Sequence, residues 1–242
     1  MKVSVAYNVE IEIEKAPHIL VAGATGMGKS AWINALLCDL VTRYTYQQLR
    51  LVLIDPKRVE LDRYEGLPHL MAHTAMEVVH AADVLAWACQ QMTDRFVELR
   101  QAKLRTAEDT DWPRIVIVVD ELALLLLDKR HGKTIEGYLV RIATLGRAAG
   151  IHLVLATQSP RADVLTGLIR ANVPTRVAFG VVTRMESLII LDQPGAERLR
   201  KPGQMLARLP GSIDLVHATG TYLDDDVIKA IVNVASKKEP VS

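Results

Sequence analysis

Apolar and polar residues alternate with period two over positions 3–7 and again over 10–14, with the turn-former Asn8 between them, which predicts a β-hairpin. The rhythm then changes. Positions 18–22, 51–54, 115–119 and 151–156 are almost wholly apolar runs bounded by turn residues, the pattern of strands covered on both faces. Stretches of helical period lie between them. In 28–43, Ile33, Leu36, Leu37 and Leu40 share one face; 76–104 and 135–149 also read as helices, the latter closed by Gly150. Thr175–Phe179 predicts a fifth strand, 204–208 with 213–217 a closing pair around Pro210-Gly211, and 224–236 a terminal helix. Apolar strands separated by helices predict an α/β fold, a mainly parallel sheet with helices on both faces. No repeat, low-complexity tract or linker interrupts the chain, so 1–242 is expected to form a single domain.

Composition adds three constraints. Half the residues are hydrophobic, enough for a full core. Lys and Arg number 29 against 28 Asp and Glu, a net charge of +1. That balance weakly disfavours nucleic acid, since a chain coating it would carry a basic surface, but does not exclude it, because a protein gripping it only inside an assembled ring would also look neutral overall. Cys38 and Cys89 lie in apolar helical stretches without ligand spacing, so both are expected to be buried reduced thiols. No signal peptide is visible, and the apolar runs 115–119 and 122–127 are far too short to cross a bilayer. A soluble, cytoplasmic protein without a membrane span is the expectation.

The strongest chemical signal is Gly23-Ala24-Thr25-Gly26-Met27-Gly28-Lys29-Ser30, followed by Ala31. Two glycines four residues apart, then Lys and Ser, form a phosphate-binding loop. Glycines let the backbone curl so that successive N–H groups point inward, and the helix N-terminus behind them favours negative charge. Lys29 would reach the β- and γ-phosphates of ATP, and the Ser30 hydroxyl would ligate Mg2+. Average residue usage lets roughly one chain of this length in a hundred carry the pattern by chance, so its setting between an apolar strand and an amphipathic helix decides the matter. Asp120 and Glu121 end the strand at 115–119. There one carboxylate would hold Mg2+ beside Ser30 and the other would orient the attacking water. Gln158, just past the strand at 151–156, reads equally as a γ-phosphate sensor or an ordinary turn residue.

With these motifs placed, nearly the whole chain resembles the FtsK/SpoIIIE family of DNA translocases. The likeness is carried by Pro17–Gly23 with Asn34 beyond the loop, by Ile54-Asp55-Pro56-Lys57 with Glu60-Leu61, and by Tyr64-Glu65-Gly66-Leu67-Pro68-His69-Leu70. Val119-Asp120-Glu121, the run from Arg147 to Gln158, Gly167-Leu168-Ile169, Asn172-Val173-Pro174-Thr175-Arg176, and Leu191-Asp192-Gln193 with Gly195-Ala196-Glu197 follow in order. The resemblance implies a RecA-like motor that assembles as a ring, commonly a hexamer, around double-stranded DNA. Lys29, Ser30, Asp120, Glu121 and Gln158 would serve one ATP site, and Arg147 of a neighbouring subunit would complete it in trans. DNA contacts would come from the segments 58–69 and 159–170, with Arg58, Arg161 and Arg170 as candidates meeting phosphates rather than bases.

Several positions depart from the family pattern. Ser159 stands where an Arg is usual, and Glu186-Ser187-Leu188-Ile189 where Asp-Ser-Arg is usual; Arg161 or Arg184 would have to replace the lost basic residues. Met27 and Trp32 are unusually large, and a ring so near the nucleotide would pack on a neighbouring subunit. About twenty residues precede the loop and the tail is short, so a stripped motor is expected, relying on partner proteins for a membrane anchor or a DNA-sequence reader. A type-VII-like protein-secretion ATPase is the alternative, and a non-hydrolysing interaction module the third reading.

Overall fold

In the computed structural model, residues 1–6 and 9–237 are described. Strands β1 (Lys2–Ala6) and β2 (Val9–Glu12) pair antiparallel with Lys2 opposite Glu12; the turn expected at Asn8 lies outside the described residues. The main sheet has seven strands: β3 (His18–Ala22), β4 (Leu49–Ile54), β5 (Arg114–Val119), β6 (Ile151–Thr157), β7 (Thr175–Phe179), β8 (Gln204–Arg208) and β9 (Val216–Thr219). They lie in the order β4-β5-β6-β3-β7-β8-β9; the first five are parallel and the last two antiparallel.

The continuous apolar runs divide by parity, because successive strand residues face opposite sides. Leu20, Ala22, Ile115, Ile117 and Val119 pack on one face with α2 (Val78–Ala102) and α4 (Gly132–Ala149). Ile19, Val21, Val116 and Val118 pack on the other, with α1 (Lys29–Arg43) and the terminal α7 (Asp225–Ser236). Cys38 and Cys89 are free and buried as expected, and burial raises both thiol pKa values. Among the described residues no helix is long and apolar enough to cross a membrane.

Three short helices escape the periodicity reading: α3 (Leu122–Leu126), α5 (Gly167–Asn172) and α6 (Arg184–Leu191). None exceeds eight residues, too few for a 3.6-residue period to show. The start of α6 was nonetheless written in the chain: Thr183 and Glu186 form a reciprocal capping box. The closing strand also differs from expectation. Ile213 is exposed and precedes β9, whose pairing begins at Ala207 opposite Val216, so the connection is longer than the Pro210-Gly211 turn alone. Trp32 is buried in the core beneath α1 instead of reaching a neighbour.

His18 and His152 sit buried side by side at the start of β3 and β6. The Leu153 amide donates to His18 Nδ1 at 3.1 Å, while His152 Nδ1 lies 3.0 Å from the Pro17 carbonyl and so carries its proton there. Burial pushes both imidazoles down to about 3. Between that value and the ordinary 6.5 the unfolded chain binds protons that the folded chain refuses, so stability falls as pH drops below 6.5. The loss approaches about 1.4 kcal/mol per pH unit per histidine. Urea unfolding midpoints should fall between pH 7 and pH 5, and His152→Asn should flatten the slope; an equal slope in that variant refutes the assignment.

Candidate functional site

Parallel order brings the C-terminal ends of β3, β4, β5, β6 and β7 to one edge of the sheet. The glycine-rich loop leaves β3 there, Asp55 follows β4, Asp120-Glu121 follow β5, and Gln158 follows β6. Antiparallel β8 starts at the same edge and β9 ends there, since Met205 pairs with Phe179 and Gln204 with Thr219. A cleft of about 600 Å³ results, lined by the loop from Ala24 to Ala31 and by Gln158 on one side. Pro202, Gly203, Gly220 and Tyr222 close the other side. Sequence reasoning missed that second wall, because nothing local in 202–203 or 219–222 signals a return to the loop. Tyr222 is largely exposed and offers an aromatic face at the cleft.

The loop is held in a form few sequences adopt. Gly26 and Gly28 have φ of 78° and 113°, and a Cβ on Gly28 would lie 2.9 Å from the Gly203 amide nitrogen. Gly203 in turn donates to the Met27 carbonyl at 2.9 Å, and Ala24 donates to Gly180 O at 2.8 Å. The Met27 side chain packs against Gly180 of its own chain. Gly28 begins α1 with no side-chain cap and no acidic residue in the first turn, so the helix end is left for an anion from outside.

Lys29 and Asp120 are almost fully buried and paired. Nζ donates to Asp120 Oδ1 at 2.7 Å and to the Asp120 carbonyl at 2.9 Å. Glu121, also buried, accepts from Thr157 Oγ1 at 2.6 Å, from the Gln158 amide at 3.2 Å and from Lys57 Nζ at 2.8 Å. Thr25 Oγ1 donates to Gln158 Oε1 at 3.0 Å, tying the loop to β6. Lys57 and Thr157 are further site residues, present in the family-like runs at 54–57 and 147–158 but given no role from the sequence. Glycine-rich amides, a serine hydroxyl, an uncapped helix end and a carboxylate beside the lysine are the donor set that a Mg2+ triphosphate requires.

The remaining candidates divide between the two edges. Arg58, with φ 58°, pairs with Glu77 at 3.1 Å on the loop after β4, and Arg161 pairs with Asp163 beyond β6, both at the cleft edge. Arg184 opens α6 after β7, at that same edge. Arg170 lies at the opposite edge, where Asp192 gathers three arginines: Arg170 at 3.2 Å, Arg176 at 2.6 Å, and Arg208. Burial works against the Asp192 charge, but Arg176 and Arg208 prevail and hold its carboxyl below the ordinary value. Arg147 is exposed in the last turn of α4, just before β6 begins. The seven residues of β6, about 20 Å, separate that turn from the cleft, so Arg147 does not serve the cleft of its own chain.

Fold and site together define a P-loop nucleoside triphosphatase of RecA-like α/β architecture. Comparison with known proteins narrows this. The FtsK/SpoIIIE family matches residues 2–112 and 104–162. The DNA translocase FtsK of Corynebacterium efficiens is 42% identical over 247 residues, covering 94% of this chain and 26% of its own length. That of Mycobacterium tuberculosis is 39% identical over 250 residues, covering 95% of this chain and 30% of its own. The pCW3 conjugation coupling protein TcpA, in a monomer form with ATPgS, aligns with TM-score 0.82 and 30% identity over 97% of this chain and 70% of its own. The cytoplasmic domain of the type VII secretion ATPase EccC from Thermomonospora curvata aligns with TM-score 0.84 and 25% identity, over 99% of this chain and 31% of its own. The chain therefore belongs to the FtsK/SpoIIIE family of P-loop ATPases, and it spans about a quarter of the length of the curated relatives it matches.

Proposed function

We propose that residues 1–242 act as one motor domain that hydrolyses ATP and, assembled as a ring, commonly a hexamer, moves double-stranded DNA. The supporting observation is the paired carboxylates at the end of β5, each already facing a lysine, beside a loop and helix end shaped for a triphosphate. Identity of about 40% to DNA translocases over nearly the whole chain points to DNA as the cargo.

The residues divide the work as follows. Amides from Gly23 to Ala31 cup the phosphates, and Lys29 swings from Asp120 to the β- and γ-oxygens. That movement frees Asp120 to act with the Ser30 hydroxyl as donors for Mg2+. Mg2+, when bound, neutralises charge developing on the phosphate oxygens. Glu121 orients the attacking water and Gln158 stands where it can sense the γ-phosphate. Arg147 of a neighbouring subunit neutralises the transferred group, which ties turnover to assembly. Arg58 and Arg161 reach phosphates of the duplex; each is held by an exposed ion pair worth about 0–1 kcal/mol, weak enough for DNA to replace.

The second reading, a protein-secreting ATPase of the type VII kind, draws on the close alignment with EccC. ATP turnover with and without linear duplex DNA separates the two. DNA should stimulate turnover, and the stimulation should fade between 50 and 200 mM salt, by roughly tenfold or more for a few phosphate contacts. Turnover indifferent to DNA and salt would refute DNA as the cargo.

A further inference from the structure

Two lysines occupy the two carboxylates at the end of β5, and they are held differently. Lys29 belongs to the phosphate loop itself, so an arriving triphosphate draws it off Asp120. Lys57 does not. It follows β4, and its ammonium lies 2.8 Å from Glu121 Oε2, while Thr157 and the Gln158 amide engage Oε1. The Gln158 amide is shared with Oε2 as well, at 3.2 Å. Both oxygens of that carboxylate are engaged, and Lys57 takes the side of Oε2 that Thr157 leaves open, so the ammonium competes with a water for Glu121; orienting water is the task proposed for that residue.

Of those partners, Thr157 is fully buried in β6 and Gln158 contributes backbone; neither leaves without unfolding the strand end. Lys57 is a third exposed and sits on an open loop. That loop is rigid: the Asp55 carboxylate accepts the amides of Lys57, Arg58, Val59, Glu60 and Leu61. Release therefore needs only rotation about the flexible Lys57 stem, with no backbone change. Next to it the same loop presents Arg58 in an exposed pair with Glu77, and an exposed Val59. Glu60, three positions on, lines the nucleotide cleft. A cation pair on a rigid, exposed loop is suited to a chain of phosphodiesters.

We infer that Lys57 is a latch on Glu121 that bound DNA opens. At rest the ammonium holds the carboxylate; when the duplex backbone reaches the loop, its phosphates take the ammonium together with the Arg58 guanidinium, and Glu121 gains an open oxygen for water. Nucleotide thus opens the Asp120 lock and cargo opens the Glu121 lock, so that ATP is spent when DNA is present. This inference rests on the motor reading. Lys57 is a positioning residue within it, acting through Glu121.

Steady-state turnover of the full chain and of Lys57→Met, each with and without linear duplex DNA, tests the latch. Loss of the ammonium should raise DNA-free kcat by roughly fivefold, leave KM for ATP unchanged, and reduce the stimulation by DNA to less than about twofold. Lys57→Arg, which keeps a cation in reach, should retain most of the wild-type ratio. Lys57→Gln serves as a second neutral variant, and melting temperatures check that each variant folds. A DNA-free rate in both neutral variants that stays at or below wild type overturns the latch, and so does an undiminished response to DNA. A wild-type chain silent even with DNA counts against the motor reading alone. The latch is then still read from Lys57→Met, whose turnover above wild type supports it and whose equal silence overturns it.

Discussion

Lys29→Ala is expected to abolish ATP turnover, by at least about a thousandfold, and to weaken the fold in the same stroke. The catalytic loss follows from removing the one side-chain cation that the loop aims at the phosphates. The structural loss follows from what Lys29 does without nucleotide. Its ammonium and the Asp120 carboxylate are a buried pair 2.7 Å apart, each almost sealed from water. Removing one member strands the other, which costs about 3–5 kcal/mol. Turnover and urea midpoints measured together make the two effects visible. The double variant Lys29→Ala/Asp120→Asn removes both charges, so it should regain much of the stability and none of the turnover. A single variant of wild-type stability would contradict the buried pair. One that still hydrolyses ATP would contradict the phosphate-loop assignment.

Arg147→Ala is expected to lower turnover by about a thousandfold or more while leaving nucleotide affinity within a few-fold of wild type. Distance is the reason for that division. Arg147 stands at the edge of the sheet away from the cleft, so binding in its own subunit does not involve it. On the motor reading its contribution comes only where subunits meet, and mixing tests this directly. Arg147→Ala and Glu121→Gln chains, each inactive alone, should together recover a measurable part of wild-type turnover. In the mixture some sites pair an intact Glu121 with an intact Arg147 from the adjoining chain. Failure of the mixture to recover, or an active Arg147→Ala chain, would remove Arg147 from the site.

The departures from expectation share a cause. Short helices such as α5 and α6 bury few residues, so their pattern is too brief to read, although Thr183 and Glu186 marked where α6 begins. Trp32 reads as an interface residue because so large a ring is unusual just after a phosphate loop, yet it is buried in the core against α1's own face of the sheet. Arg170 stood beside Arg161 in the chain as a DNA candidate, but the two lie at opposite edges, and Arg170 is committed to Asp192.

What could be read from the chain alone was whatever repeats at short range: the unbroken apolar runs, the glycines that permit positive φ, and the lysine, serine and acidic pair placed at strand ends. Those are local requirements of backbone and side-chain chemistry, and they carried the α/β class and the phosphate loop. Strand order was not among them, because pairing joins residues far apart in sequence. That order alone brings β8 and β9 back to form the second wall of the cleft, sets Lys57 against Glu121 across 64 positions, and sends Arg147 away from its own site. Contacts of that kind depend on how whole elements pack, which no local pattern of residues records.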